Sequence, residues 1–502
     1  MTGVYNVLLI NQNDNVAVAL ENIIKGQRVK SAVGSFEALG DIEKGHKVAI
    51  REIKVGEPVI KYGYPIGRAV IPINAGEYVH THNIKTNLQG ILEYSYNRPL
   101  DSKTEIGEYK GKVRTFKGYL REDGKVGIRN EIWIVNTVGC VNKTAELLAN
   151  KANIRFGGAT DGVYAFLHPY GCSQMGDDQT NTQKILAGMA NHPNAAGVLV
   201  LGLGCENNNI AEFKKFLGQY DEKRIRFLEA QAVEDEIEEG LKLIGALVEY
   251  ASSFKRQDCP VSKLVVGLKC GGSDAFSGIT ANPLTGLFSD MLIEQGGTTL
   301  LTEVPEMFGA ETILMNRCIN EEIFNKTVNL INDFKEYYMK HNQVIYENPS
   351  PGNKKGGIST LEEKSLGCTQ KGGAQNVVDV LDYGEAVRNN GLNLLKGPGN
   401  DIVAITALAA SGVQLILFTT GRGTPLGAPV PTIKISSNKD LFNKKKEWID
   451  FDAGQLVEDS DLSQLGKDLF DYAVRIATGE ERTKNEINGY REIAIFKDGV
   501  TL

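Results

Sequence analysis

The sequence predicts a multidomain α/β protein: a small β-rich N-terminal domain followed by two α/β domains with mainly parallel sheets. Three observations predict it. A chain of 502 residues is too long for one ordinary hydrophobic core, so about two to four domains are expected. Residues 1–96 hold Val- and Ile-rich runs of strand length punctuated by glycine, with no long amphipathic helix. From Val113 onward, apolar runs alternate with helix-length amphipathic segments, the pattern of parallel βαβ units.

In chain order, NVLLI (6–10), NVAVAL (15–20), HKVAIREI (46–53), PVIKYGYPIGRAVIPI (58–73) and EYVHTHNI (77–84) read as strands. Residues 97–112 are polar and weakly patterned, as an interdomain linker would be. In 113–255, EIWIVNTV, VYAFLH, GVLVLGLG and RIRFLEA read as strands, each followed by a helical segment. KRQDCPV (255–261) interrupts that pattern and suggests a boundary, so 256–502 form the C-terminal domain. There LVVGLKC, TTLLTEV, VQLILFTTG and PTIKISS read as strands, and 346–373 as a long irregular insertion.

Hydrophobic residues at 42% and charged residues at 23% are those of a globular protein. A net charge of −7 with no long basic stripe argues against a nucleic-acid partner. The uncharged stretch 402–421 holds Ser411, Gln414, three threonines and two glycines and divides into a helix and a strand, so no membrane span is expected. Seven cysteines without a C-x-x-C pair fit a reducing compartment, and the N-terminus does not read as a signal peptide. A cytoplasmic protein is expected. The sequence is compatible with a homo-oligomer but sets no oligomeric state.

Chemistry is expected in glycine-flanked loops after the strands: 168–178, 202–209, 269–278, 302–306 and 419–425. Each alone reads equally as a tight turn. Cys172, Cys205 and Cys270 fall in three of these loops, and together could hold an iron–sulfur cluster; a lone loop cysteine is more often a small buried residue. His80 and His82 share one side of an extended segment and suit a mononuclear metal, or else a solvated pair at a domain edge. His168 ends a strand, where it could be a general base or a structural histidine. Glu206, Glu303 and Glu306 are candidate acids, bases or ligands, with capping or surface roles as the default. Lys354 and Arg422 could clamp a carboxylate or form structural ion pairs. GLGCEN lacks the third glycine of a dinucleotide fingerprint, GNKKGG is no Walker loop, and no G-x-S-x-G is present.

The ordered motifs VIKYGYPIG, VHTHN, DGKVGIRNE, TVGCVN, YGCSQ, GLGCEN, CGGSDAFSGITANP, LTEVPEMFGAE, NPSPGNKKGG, GCTQK and TTGRGTP resemble the altronate and galactarate dehydratase family over essentially the whole chain. The resemblance implies an N-terminal SAF domain, a small β-rich module, and two family-specific domains. It also implies a hydro-lyase acting on a small sugar acid, with D-altronate expected and galactarate or another aldonate or aldarate as the alternative. Ferrous iron is the implied cofactor, with manganese able to assist. A non-catalytic sugar-acid-binding protein is the reading from another class. With that chemistry, His46, His80 and His82 are expected as metal ligands, and His168, Glu206 and Lys354 as catalytic residues. Arg422, Asn353, Ser273 and Asp274 are expected to bind substrate.

Overall fold

The computed structural model describes residues 5–97, 114–458 and 460–499. Residues 5–97 form short strands and, among those described, no helix. One antiparallel sheet runs in the order Val7–Leu8, Val16–Ala19, Lys47–Ala49, Tyr78–Val79. A second joins Pro58–Lys61, Tyr64–Ala69 and Ile84–Lys85. Its hairpin turns through Tyr62 and Gly63, both left-handed at φ 62 and 78, as a two-residue turn of matching twist requires. A third ribbon, Arg28–Ser31 with Gly34–Glu37, lies outside the expected strands. Its polar, largely exposed residues carry little apolar signal. The expected linker, apart from Asn97, lies outside the described residues.

The next sheet is parallel, in the order Val163–Phe166, Glu131–Asn136, Ala195–Gly202, Ile225–Glu229. Near-continuous burial of Glu131–Asn136 and Ala195–Gly202 follows from helices covering both faces. The stretch expected as a boundary contains a strand, Arg256–Pro260, antiparallel to Thr115–Leu120. Its sequence, RQDCP, hid it: the pairing is through backbone, and only Cys259 is buried.

The C-terminal sheet has seven parallel strands, in the order Val377–Leu381, Gly391–Leu395, Thr298–Leu301, Val265–Cys270, Leu415–Thr420, Thr432–Ser436, Phe451–Asp452. The four expected strands are present, and 402–421 contributes both a helix, Asp401–Ala410, and a strand. The expected irregular insertion instead contains two helices, Pro351–Lys355 and Leu361–Cys368. Ser350 and Thr360 cap them by accepting from the N–H groups of Asn353 and Glu363. One continuous core joins the two parallel sheets, running from Trp133 and Phe166 to Leu408 and Phe418. The N-terminal domain packs Val59, Ile66 and Val79 with Ala310 and Leu366 of the C-terminal part. No helix among the described residues is long and apolar enough to cross a membrane.

Candidate metal and active site

The first strand of the C-terminal sheet, Val265–Cys270, lies at its centre, and later strands wind away on both sides. Where winding reverses, the carboxyl ends of the strands leave a crevice for ligands. Cys270 is the last residue of that strand. Glu306 lies in the short turn Val304–Met307 after the neighbouring strand, and Cys368 ends the helix Leu361–Cys368.

These three buried residues offer ligand atoms all within 4.8 Å of one another. The Cys368 sulfur is 3.8 Å from that of Cys270 and 3.1 Å from Oε2 of Glu306. Two thiolates bound at about 2.3 Å to one tetrahedral ion stand about 3.8 Å apart, so the spacing fits a metal ion. The donor set could hold one, and thiolates favour soft or borderline ions over magnesium or calcium.

Surrounding charges prepare the donors. A hydrogen bond from the Cys368 thiol, aided by Lys371, brings the Cys270 thiol down to about 6 against the cost of burial. The same hydrogen bond, with burial, pushes Cys368 up. Burial opposes charge on Glu306, but Lys364, Lys269 and Lys371 hold its carboxyl at about 2; Lys364 Nζ is 2.7 Å away. Glu303, left-handed at φ 70, accepts from Lys371 at 3.0 Å, from the Cys270 N–H at 3.0 Å and from Lys269. Such a strained buried residue persists only where its neighbours fix it. Here they position Cys270.

A chain of contacts closes around the centre. Lys364 reaches Asn353 Oδ1 at 3.4 Å, Asn353 Nδ2 donates to the Ser273 carbonyl at 2.7 Å, and Ser273 Oγ meets the Cys270 sulfur. The N-terminal domain completes the surroundings: Lys47 and Lys61 both pair with Glu363, at 2.9 and 2.8 Å. Lys61, Tyr62, Ser273, Gly278, Lys364 and Cys368 line a cavity of about 10 Å³, room for about one water. A Cβ on Gly278 would come within 2.4 Å of the Tyr62 hydroxyl, so the two domains meet closely there. Surface hollows of about 350, 370 and 400 Å³ bring none of the metal-donor residues together.

The structure brings together Cys270, Ser273, Asn353, Glu303 and Glu306 from the expected set. It does not assemble the histidine ligands. His46 and His80 stand with ring centroids 5.4 Å apart, while His82 lies against Tyr78. Their nitrogens are occupied: His46 by the Tyr78 hydroxyl and Lys355 carbonyl, His80 by the Thr81 hydroxyl and Lys354 carbonyl. These two histidines dock the N-terminal domain on the helix Pro351–Lys355. The cysteine alternative also changes, because Cys172 and Cys205 are exposed in the second domain while Cys270 is buried in the third.

His168 is buried, with Nε2 2.8 Å from the Asn136 carbonyl and Nδ1 accepting from the Tyr170 N–H. Glu206 accepts from Thr137 Oγ1 and the N–H groups of Leu203 and Gly204. Despite burial, these bonds hold its carboxyl below the usual range, which makes it a loop brace. Asp274 likewise accepts from Ser277, Ser437 and Asn438. Arg422 is exposed, with its N–H on the Gly272 carbonyl. Lys354 is half-buried and meets His80 through its carbonyl. Sequence reasoning did not assign Cys368, Glu363 or the buried Lys47, Lys61, Lys269, Lys364 and Lys371 to the site. The GCTQK motif carried both Cys368 and Lys371.

Fold and centre together define a multidomain α/β protein with a buried thiol–carboxylate site suited to a metal ion. Family profiles match consecutively: the altronate/galactarate dehydratase SAF domain over 5–87, the D-galactarate dehydratase/altronate hydrolase second domain over 118–252, and the D-galactarate/altronate dehydratase C-terminal domain over 261–501. An altronate dehydratase of Bacillus subtilis (strain 168) is 54% identical over 98% of this chain and 99% of its own length. One from Escherichia coli (strain K12) is 51% identical with the same coverage. A galactarate dehydratase (L-threo-forming) of Escherichia coli (strain K12) is 32% identical over 97% of this chain and 96% of its own. The chain belongs to the altronate/galactarate dehydratase family.

Proposed function

We propose that this protein removes water from D-altronate to give 2-dehydro-3-deoxy-D-gluconate. The observation that carries this reading is end-to-end similarity, at 54% and 51% identity, to two altronate dehydratases. Cys270, Glu306 and Cys368 are the residues we assign to hold iron(II). Bound there, the ion would stabilise the negative charge that develops on the substrate as the C2 proton leaves. Lys364, Lys371 and Glu303 keep the donors charged and oriented, and the close fit of Tyr62 against Gly278 excludes water from the chemistry. A six-carbon acid does not fit a cavity of about 10 Å³, so the N-terminal domain must part from the C-terminal domain to admit it. Seven unbridged cysteines suit a reducing compartment such as the cytoplasm.

The test is a substrate panel on anaerobically purified, iron(II)-loaded protein, with 2-keto acid followed over time. Altronate is expected to be turned over with saturation and galactarate poorly. Turnover of galactarate without turnover of altronate would overturn the substrate. Saturable binding of altronate with no keto acid would make the protein a binder rather than an enzyme.

A further inference from the structure

Four of the seven cysteines are buried, and the three exposed ones all lie in the second domain. Cys140, Cys172 and Cys205 each follow a glycine, in the motifs TVGCVN, YGCSQ and GLGCEN. Each sits in the loop after one of three adjacent parallel strands, Glu131–Asn136, Val163–Phe166 and Ala195–Gly202. Cysteine is ordinarily among the most buried residues. Three exposed thiols on neighbouring loops of one sheet edge are therefore unusual.

The loops that carry them are tied to one another. Gly139 N–H donates to the Tyr170 carbonyl at 2.8 Å, and Asn208 N–H to the Gly171 carbonyl at 3.1 Å. Ser173 N–H donates to Asn207 Oδ1 at 2.9 Å, and Asn208 Nδ2 to the Thr137 carbonyl at 2.9 Å. Glu206, bound to Thr137, Leu203 and Gly204, stiffens the third loop from below. The helices Asn142–Phe156, Gly176–Ala190 and Ile210–Leu217 start just after the three cysteines.

A single ion is not what this arrangement fits. Among the described residues, the one group of three donors within 4.8 Å of one another is at Cys270, Glu306 and Cys368. An iron–sulfur cluster makes a different demand, because each thiolate binds its own iron and the sulfurs stay apart. We propose that Cys140, Cys172 and Cys205 ligate a [4Fe–4S] cluster whose fourth iron faces solvent. Loading can proceed by thiolate exchange from a preformed cluster. Three iron–thiolate bonds to the carrier break, three to the protein form, and the three cysteine protons leave on the carrier thiols with no change of oxidation state. The proposal does not depend on the substrate assignment, and its test does not use turnover.

The full chain, purified anaerobically, is offered a preformed [4Fe–4S] cluster carried on small-molecule thiolates, then freed of excess. About four irons and four acid-labile sulfides per chain are expected, with the broad visible absorption of a cluster. Cys140→Ser, Cys172→Ser and Cys205→Ser should each lose most of the sulfide, whereas Cys270→Ser should retain it. Alkylation followed by peptide mass spectrometry gives a second reading: the loaded wild-type protein should protect these three thiols and the unloaded protein should not. Iron without labile sulfide, a Cys172→Ser variant that loads like wild type, or equal loss in Cys270→Ser would each overturn the assignment.

Discussion

Cys270 and Cys368 face each other across 3.8 Å with Glu306 beside them, and in the proposed metal site each would play a different part. Cys270 supplies a thiolate already favoured near pH 6, while Cys368 must give up its proton when an ion arrives. Cys368→Ser should therefore abolish stoichiometric iron in protein loaded with iron(II) alone and free of labile sulfide, while leaving the fold intact, as read by metal analysis and circular dichroism. Lys364 acts one step further out, through Glu306. Lys364→Met should weaken metal binding by about 10–100-fold, measured by competition with a chelator; unchanged affinity would make its ion pair purely structural. At this scale the sequence disclosed two of the three donors. Cys270 and Glu306 stood in glycine-flanked loops after strands, but Cys368 sat within a helix of uniformly buried residues. The lysines were hidden for a related reason, since an isolated lysine in a sequence is read as solvated.

Strands and helices explain the next level of error and of stability. The helix Leu361–Cys368 was invisible as an amphipathic pattern because Glu362, Glu363 and Lys364 are as buried as its leucines. Those charges are compensated by other elements: Lys47 on one strand and Lys61 on another converge on Glu363. Removing one member of such a buried group strands the others, so Glu363→Ala should cost about 3–5 kcal/mol, measured by chemical denaturation. The pH dependence has a defined direction. Burial works against the Glu363 charge, yet the two ammonium groups hold its carboxyl at about 2, below the unfolded value of 4.5. Its contribution is fully present above 4.5 and is lost as pH falls from there toward 2. Glu363→Gln should flatten that part of the stability profile; an unaltered acid limb would place the cause elsewhere.

For the whole molecule, the decisive feature is that the N-terminal domain closes the C-terminal site. His46 and His80 hold the helix Pro351–Lys355, Lys47 and Lys61 hold Glu363, and Tyr62 faces Gly278. Turnover should then require separation of the two. The exposed Lys44–Asp440 ion pair bridges them at the surface. Lys44→Cys with Asp440→Cys, joined by a short reducible bismaleimide cross-linker, should depress turnover until the linker is reduced, with cross-linker-treated wild-type protein as the control. Full activity of the bridged protein would show that substrate enters without domain separation. Local pattern alone determined the class of fold: Val- and Ile-rich runs punctuated by glycine for the small β domain, and strand–helix alternation for the parallel sheets, because both follow from which residues face a core. It also marked the glycine-flanked loops, because backbone turns need particular residues. Only the tertiary structure decided which loops meet. It set Cys270 beside Cys368, with Cys172 and Cys205 exposed, and it placed His46 and His80 against the carbonyls of Lys355 and Lys354. Ligand sets are matters of distance between remote segments, and burial of opposite charges is visible only once both partners are in place.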